Sequence, residues 1–194
     1  MLDSTPYLEE FLPYKLNAVH QLELGLLRHM EWVDKGLRPK IEIKFDDKTS
    51  IVGNSNAYIN PLMESGILHI RSLLEFIGLK CDKQGGTLTQ VQKRSTDDIG
   101  VEQLEINGQV PKMIDVKKLR IEMGTQADLV LSSLSFVIWL ANKYVAHFTT
   151  IINHDMETLN KILVASRATP LIITNHVYVA QGLSVPTYKN DRMP

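Results

Sequence analysis

Residues 127–150 read ADLVLSSLSFVIWLANKYVAHFTT, the longest dense apolar run in the chain. A helix this hydrophobic on all sides is buried rather than laid on a surface. A membrane span needs about 20 mostly apolar residues with few charges. This run carries Asp128, Ser132, Ser133, Ser135, Asn142, Lys143 and His147, and is therefore read as the central helix of a soluble bundle, capped by Thr125 or Asp128. The other apolar segments become the partners that cover it.

Upstream, Leu16, Val19, Leu22, Leu26, Leu27, Met30 and Val33 recur at steps of three and four, the stripe of an amphipathic helix. It is expected to run from Thr5 to Gly36, with Pro13 breaking or restarting it because proline removes a backbone donor. Residues 41–52 alternate apolar and polar around Asp46-Asp47, which reads as a small β-hairpin. A second helix is expected from Pro61 to Gly78, with Asn60 as cap and Pro61 in the first turn. Its apolar arc leaves Glu64, Arg71 and Glu75 on another face, with Arg71 and Glu75 four apart, where opposite charges pair. Residues 80–123 are polar and rich in turn signals, including Gly85-Gly86 as a flexible joint and Asn107-Gly108 as a tight turn. They read as an irregular, partly mobile loop insertion, with short helices toward Leu104 and over Asp115–Met123. The last helix starts at Asn153 or Asp155 and is expected to be interrupted by Pro170. Residues 171–180 fit either a helical continuation or a strand, and 188–194 read as a frayed tail.

The expected fold is a single all-α domain over 1–194. It is an up-and-down bundle of four to five main helices, with the hairpin at 41–52 and the loop insertion at 80–123. The chain has 194 residues, 44% of them hydrophobic, which suits one domain with a real core. A net charge of -1 excludes a global field that would gather nucleic acid or acidic membrane. Cys81 is the only cysteine, so no intramolecular disulfide can form, and a reducing, cytoplasmic location is the expectation. The first residues lack the basic and apolar regions of a signal peptide.

Candidate chemistry sits in two places. Lys143 and His147 are four apart on one helix face, with Asn142 offset by about 140° from His147. A histidine there suits general base work, although a structural hydrogen-bonding histidine is the weightier reading. Arg71 suits a phosphate or carboxylate, with His69 and Glu75 as neighbours, against the weightier reading of a salt-bridge ladder. His69 is expected beside Phe76. The six histidines show no metal-ligand spacing, no phosphate loop or nucleophile elbow is present, and no metal or cofactor is implied.

The phrases ESGILHIRSLLEFIGLK, with His69, Arg71, Leu73 and Phe76, and NKYVAHFT, with Asn142, Lys143, Ala146 and His147, together resemble the HEPN-like helical proteins. That resemblance implies a bundle, a homodimer, and a group that includes metal-independent RNases of defence and toxin systems. Catalytic members carry an Arg a few residues before the His. Here the position five before His147 is Asn142, and Arg71 or Lys143 would have to replace the missing guanidinium. The expected function is thus a non-catalytic or partner-dependent module making protein contacts and contacts to nucleotide or RNA. An RNase acting through His147, with Asn142, Lys143 and Arg71, and a structural or small-ligand-binding bundle are the alternatives.

Overall fold

The computed structural model describes residues 2–145 and 155–187. It is a helical bundle with three two-stranded sheets at its margins. In order come β1 (Leu2–Asp3), α1 (Leu12–Asp34), the hairpin β2 (Lys40–Phe45) and β3 (Lys48–Asn54), and α2 (Ser55–Phe76). Then follow the hairpin β4 (Leu79–Cys81) and β5 (Leu88–Gln90), β6 (Leu104–Glu105), α3 (Val116–Met123), α4 (Ala127–Leu140) and α5 (Met156–Ile173).

α1 and α2 form an antiparallel pair around the β2–β3 hairpin. Two glycines let them approach closely. A Cβ on Gly25 would strike Leu62, and one on Gly66 would strike the side chain of Leu22. Each glycine is thus the socket for a leucine of the facing helix. The shared seam buries Leu16, Val19, Leu22, Leu26, Ile59, Met63, Ile67 and Ile70. α4 packs on α5 and α2, and α5 closes back on α1. On α4, Leu134, Val137 and Ile138 are fully buried, as the dense apolar run requires. The helix continues as a wider π turn over Ala141–Val145. His147 lies outside the described residues. By length and composition 116–143 could also cross a membrane, and half of that apolar window is buried inside the fold.

The hairpin is present one to two residues longer than expected, and turns through Asp46 and Asp47, both with positive φ. The prolines behave differently from expectation. Pro13 does not break the first helix; a π turn at Tyr7–Phe11 leads straight into α1. The wider turn loosens the backbone just where proline withholds a donor and crowds the preceding carbonyl. α2 does not begin at Pro61. It begins at Ser55, because Asn54 accepts the Ala57 N–H at 3.1 Å and so caps it six residues earlier. Pro61 then lies inside the helix. Pro170 likewise lies inside α5, which Asp155 caps through the Thr158 N–H. The helix continues beyond it through a π turn to Tyr178, so 171–180 is no strand. α4 has Gln126 at its cap position without a side-chain bond, while Asp128 pairs with Arg120.

The 80–123 insertion is not a loose loop. It buries Leu88, Val101, Leu104, Ile106, Ile114 and Leu119 against the bundle. Gly85-Gly86 is the tight turn of the β4–β5 hairpin: Asp82 Oδ1 accepts from the Gln84 and Gly86 N–H groups. Gly85 has φ of 76° beneath the Trp139 side chain, where a Cβ would not fit. Ser135 Oγ donates to its carbonyl at 3.0 Å, which ties the hairpin to α4. The helix expected toward Leu104 is a single 3-10 turn, Val101–Gln103, whereas α3 starts at the expected Asp115 cap. Asn107-Gly108 is the expected turn, with both φ positive.

The N-terminal segment is held by distant parts of the chain. β1 pairs in parallel with β6, and Ser4 Oγ donates to the Glu105 carbonyl. Tyr178, 3% exposed, donates from its hydroxyl to the Leu8 carbonyl at 2.8 Å.

Candidate functional site

The end of α2 builds the most chemically varied surface of the described molecule. Helical spacing leaves Arg71, Ser72 and Glu75 partly exposed on one side, next to the buried Phe76. Arg71 Nε donates to Glu75 Oε1 at 3.0 Å, the expected i, i+4 pair. The segment after β5 then folds over the helix end. There Arg94 donates to the carbonyls of Glu75 (2.7 Å) and Phe76 (3.1 Å) in the last turn of the helix, the first of which also accepts the Gly78 N–H. Its other N–H groups clamp Glu102 at 2.5 and 3.1 Å. Burial alone would raise the Glu102 carboxyl, but the Arg94 bond, its own backbone N–H and the Arg94 charge together hold it below its usual range.

Between these clamps lies a polar groove of about 460 Å³, lined by Arg71, Glu75, Lys80, Lys93, Arg94, Asp97 and Asp98. Its neighbour is an apolar pocket of about 350 Å³, lined by Tyr7, Phe11, Leu12, Lys15, Ser72, Leu73, Phe76 and Ile99. Ser72, Phe76 and Ile99 belong to both. On the other side of β4 a third hollow is lined by Cys81, Asp82, Lys83, Trp139, Asn142 and Lys143.

Parts of the two expected clusters, Arg71 with Glu75 and Asn142 with Lys143, therefore flank β4 on opposite sides. Lys80 faces the groove with Arg71 and Glu75, while Cys81 faces the hollow with Asn142 and Lys143. Burial first, then the charges of Asp82 and Glu75, push the Cys81 thiol up; a backbone N–H bond at Cys81 and, less, a hydrogen bond from Asn142 oppose this only in part. The thiol is thus held in its protonated, weakly nucleophilic form. Asn142, at the position where the resemblance calls for a guanidinium, serves this sulfur.

His69 is not part of this cluster. It packs edge-on against Tyr14 of α1, ring centres 5.3 Å apart, rather than beside Phe76. It and Arg71 are two residues apart and so leave α2 on opposite sides. Burial, and next the Lys15 charge, lower its pKa from the usual 6.5. For a base this means the unfolded chain takes up more protons in acid, so folding stability falls as pH drops below about 6.5 toward the lower folded value. Between pH 8 and pH 5 the wild type is expected to lose more of its guanidinium midpoint than His69→Gln. Equal losses would show that His69 carries no acid sensitivity.

Among the described residues no group of His, Cys, Asp and Glu side chains could hold a metal. A further hollow of about 550 Å³ lies between α1 and α5, but its charged walls are already joined, Arg167 Nε donating to Glu23 at 2.9 Å. The residues that sequence reasoning missed are Lys15, Lys80, Lys93 and Arg94. Only the polar stretch around Arg94 carried any signal, and that signal read as loop. No protein-family model matches the chain, and neither curated proteins nor solved structures give a match.

Proposed function

We propose that this chain is a non-catalytic helical binding module that engages a protein partner through the polar groove at the end of α2. The observation that carries this reading is the state of the groove's guanidinium groups. Arg71 is held by Glu75, and Arg94 by Glu102 and two carbonyls. RNA cleavage needs a cation aimed at a developing phosphate charge, and both guanidiniums are already engaged. The groove is also of mixed sign. Lys80 and Lys93 stand beside Asp97 and Asp98, which suits the alternating charges of a protein surface better than a polyphosphate backbone. The HEPN-like resemblance agrees with such a module, whose departure at Asn142 removes the guanidinium of the catalytic members.

The test is native affinity capture compared by quantitative mass spectrometry between wild type and Lys80→Glu/Lys93→Glu. A partner recovered with wild type and depleted about tenfold or more by the double variant is expected, since charge reversal at a partner surface costs several kcal/mol. Identical recoveries would count against the groove. Cleavage of RNA by the purified protein in chelator, abolished by His147→Ala, would replace this reading by the RNase one.

A further inference from the structure

We infer that the apolar pocket beside the groove is a binding site for a small hydrophobic anion, a medium-chain acyl or aryl carboxylate, with Lys15 and Ser72 as its polar contacts. The inference goes beyond the module reading and does not depend on it. The pocket's volume, about 350 Å³, lies at the small end of the ~300–1,000 Å³ typical of small-molecule sites. Its wall is aromatic and aliphatic: Tyr7, Phe11, Leu12, Leu73, Phe76 and Ile99. Tyr7 and Phe11 hold each other in a tilted ring contact at 5.6 Å, so the π turn before α1 presents a preset aromatic edge.

Besides the Tyr7 phenol, the polar side chains among its lining residues are Lys15 and Ser72, and no carboxylate lines it. Among the described residues Lys15 makes no ion pair, and burial alone lowers its pKa. A half-buried ammonium without a counter-charge is an unfavourable arrangement. An anion whose tail fills the apolar wall supplies that counter-charge, and Ser72 can donate a second hydrogen bond to it. The neighbouring His69, held toward its neutral form, does not compete for the anion. A cation of the same shape would meet Lys15 as a like charge.

The test uses octanoate and 2-naphthoate against octylamine and octanol, read by methyl NMR of the full chain and by titration. Either carboxylate is expected to shift the methyls of Leu12, Leu73 and Ile99, and octanoate to bind at least about tenfold tighter than octylamine, a difference of the size one charge-assisted contact gives. Lys15→Met should weaken octanoate about tenfold while octanol is unchanged, and Lys15→Arg should restore the preference. Three results overturn the inference: no methyl shift with either carboxylate, octylamine binding as tightly as octanoate, or Lys15→Met binding octanoate as wild type does. The comparison of anion with cation needs no variant, so a folding defect in Lys15→Met leaves it decisive.

Discussion

Arg94→Met is expected to destabilise the protein by about 3 kcal/mol, lowering Tm by roughly 6–12 °C for a chain of this size. The substitution keeps the apolar stem and removes the guanidinium. The Glu102 carboxylate loses its ion pair, the Phe76 carbonyl loses the Arg94 bond, and the Glu75 carbonyl keeps the Gly78 N–H at 3.0 Å. Arg94 is 11% exposed and Glu102 28%, so solvent replaces the lost bonds only in part. Removing one member of a buried pair leaves the other charge uncompensated, which is where most of the penalty arises. The pH dependence has a definite sign. The folded Glu102 carboxyl lies below its usual 4.5, so its contribution is present above about pH 4.5 and fades as pH falls through the lower folded value. The gap between Arg94→Met and wild type should narrow in that acid range. Urea unfolding at pH 7 and pH 3.5 measures both points, and a loss under 1 kcal/mol at pH 7 would remove the clamp from the account.

The second large effect is expected at the α1–α2 seam. Gly66→Val should cost about 3 kcal/mol, because a side chain there meets Leu22 and neither helix can retreat without opening the seam. Leu22→Ala alone should also cost about 3 kcal/mol, since Leu22 is fully buried. Combined, the two changes exchange which helix supplies the knob. The double variant is therefore expected to be more stable than the sum of its parts by at least about 1 kcal/mol. A urea double-mutant cycle reads this directly; additivity within about 0.5 kcal/mol would show that the two residues do not share the space.

Much of the bundle was legible because its signals are local. The three-and-four spacing of Leu16 to Leu26, the continuous apolar run of α4 and the Asp155 cap each act within a turn or two of helix. The largest misreadings of the long helices involved proline. A single sequence treats Pro13 and Pro170 as breaks and Pro61 as the start of a helix, whereas π turns, an earlier cap and burial of both helix faces carry the helices through. The 80–123 region was misread for the opposite reason. Its buried residues, Leu88, Val101, Leu104, Ile106, Ile114 and Leu119, follow no period because each enters the core from a separate turn. The site was legible only where it was helical. Arg71 and Glu75 are one turn apart, but Arg94 finds its carbonyls 18 and 19 residues away. Lys15 carried no signal in the sequence, since only the fold reveals an apolar pocket around it.

The attachment of the N-terminal segment has a consequence for synthesis. β1 finds its partner only at Leu104 and Glu105, and the Leu8 carbonyl receives its donor from Tyr178, 170 residues later. At about 5–20 residues per second, the ribosome takes roughly 10–30 s between those two points. For that interval Tyr7, Leu8 and Phe11 exist without the residues that hold them in place. This segment is thus made long before it can settle, and a nascent chain halted before Tyr178 would display these side chains to whatever chaperone waits at the exit.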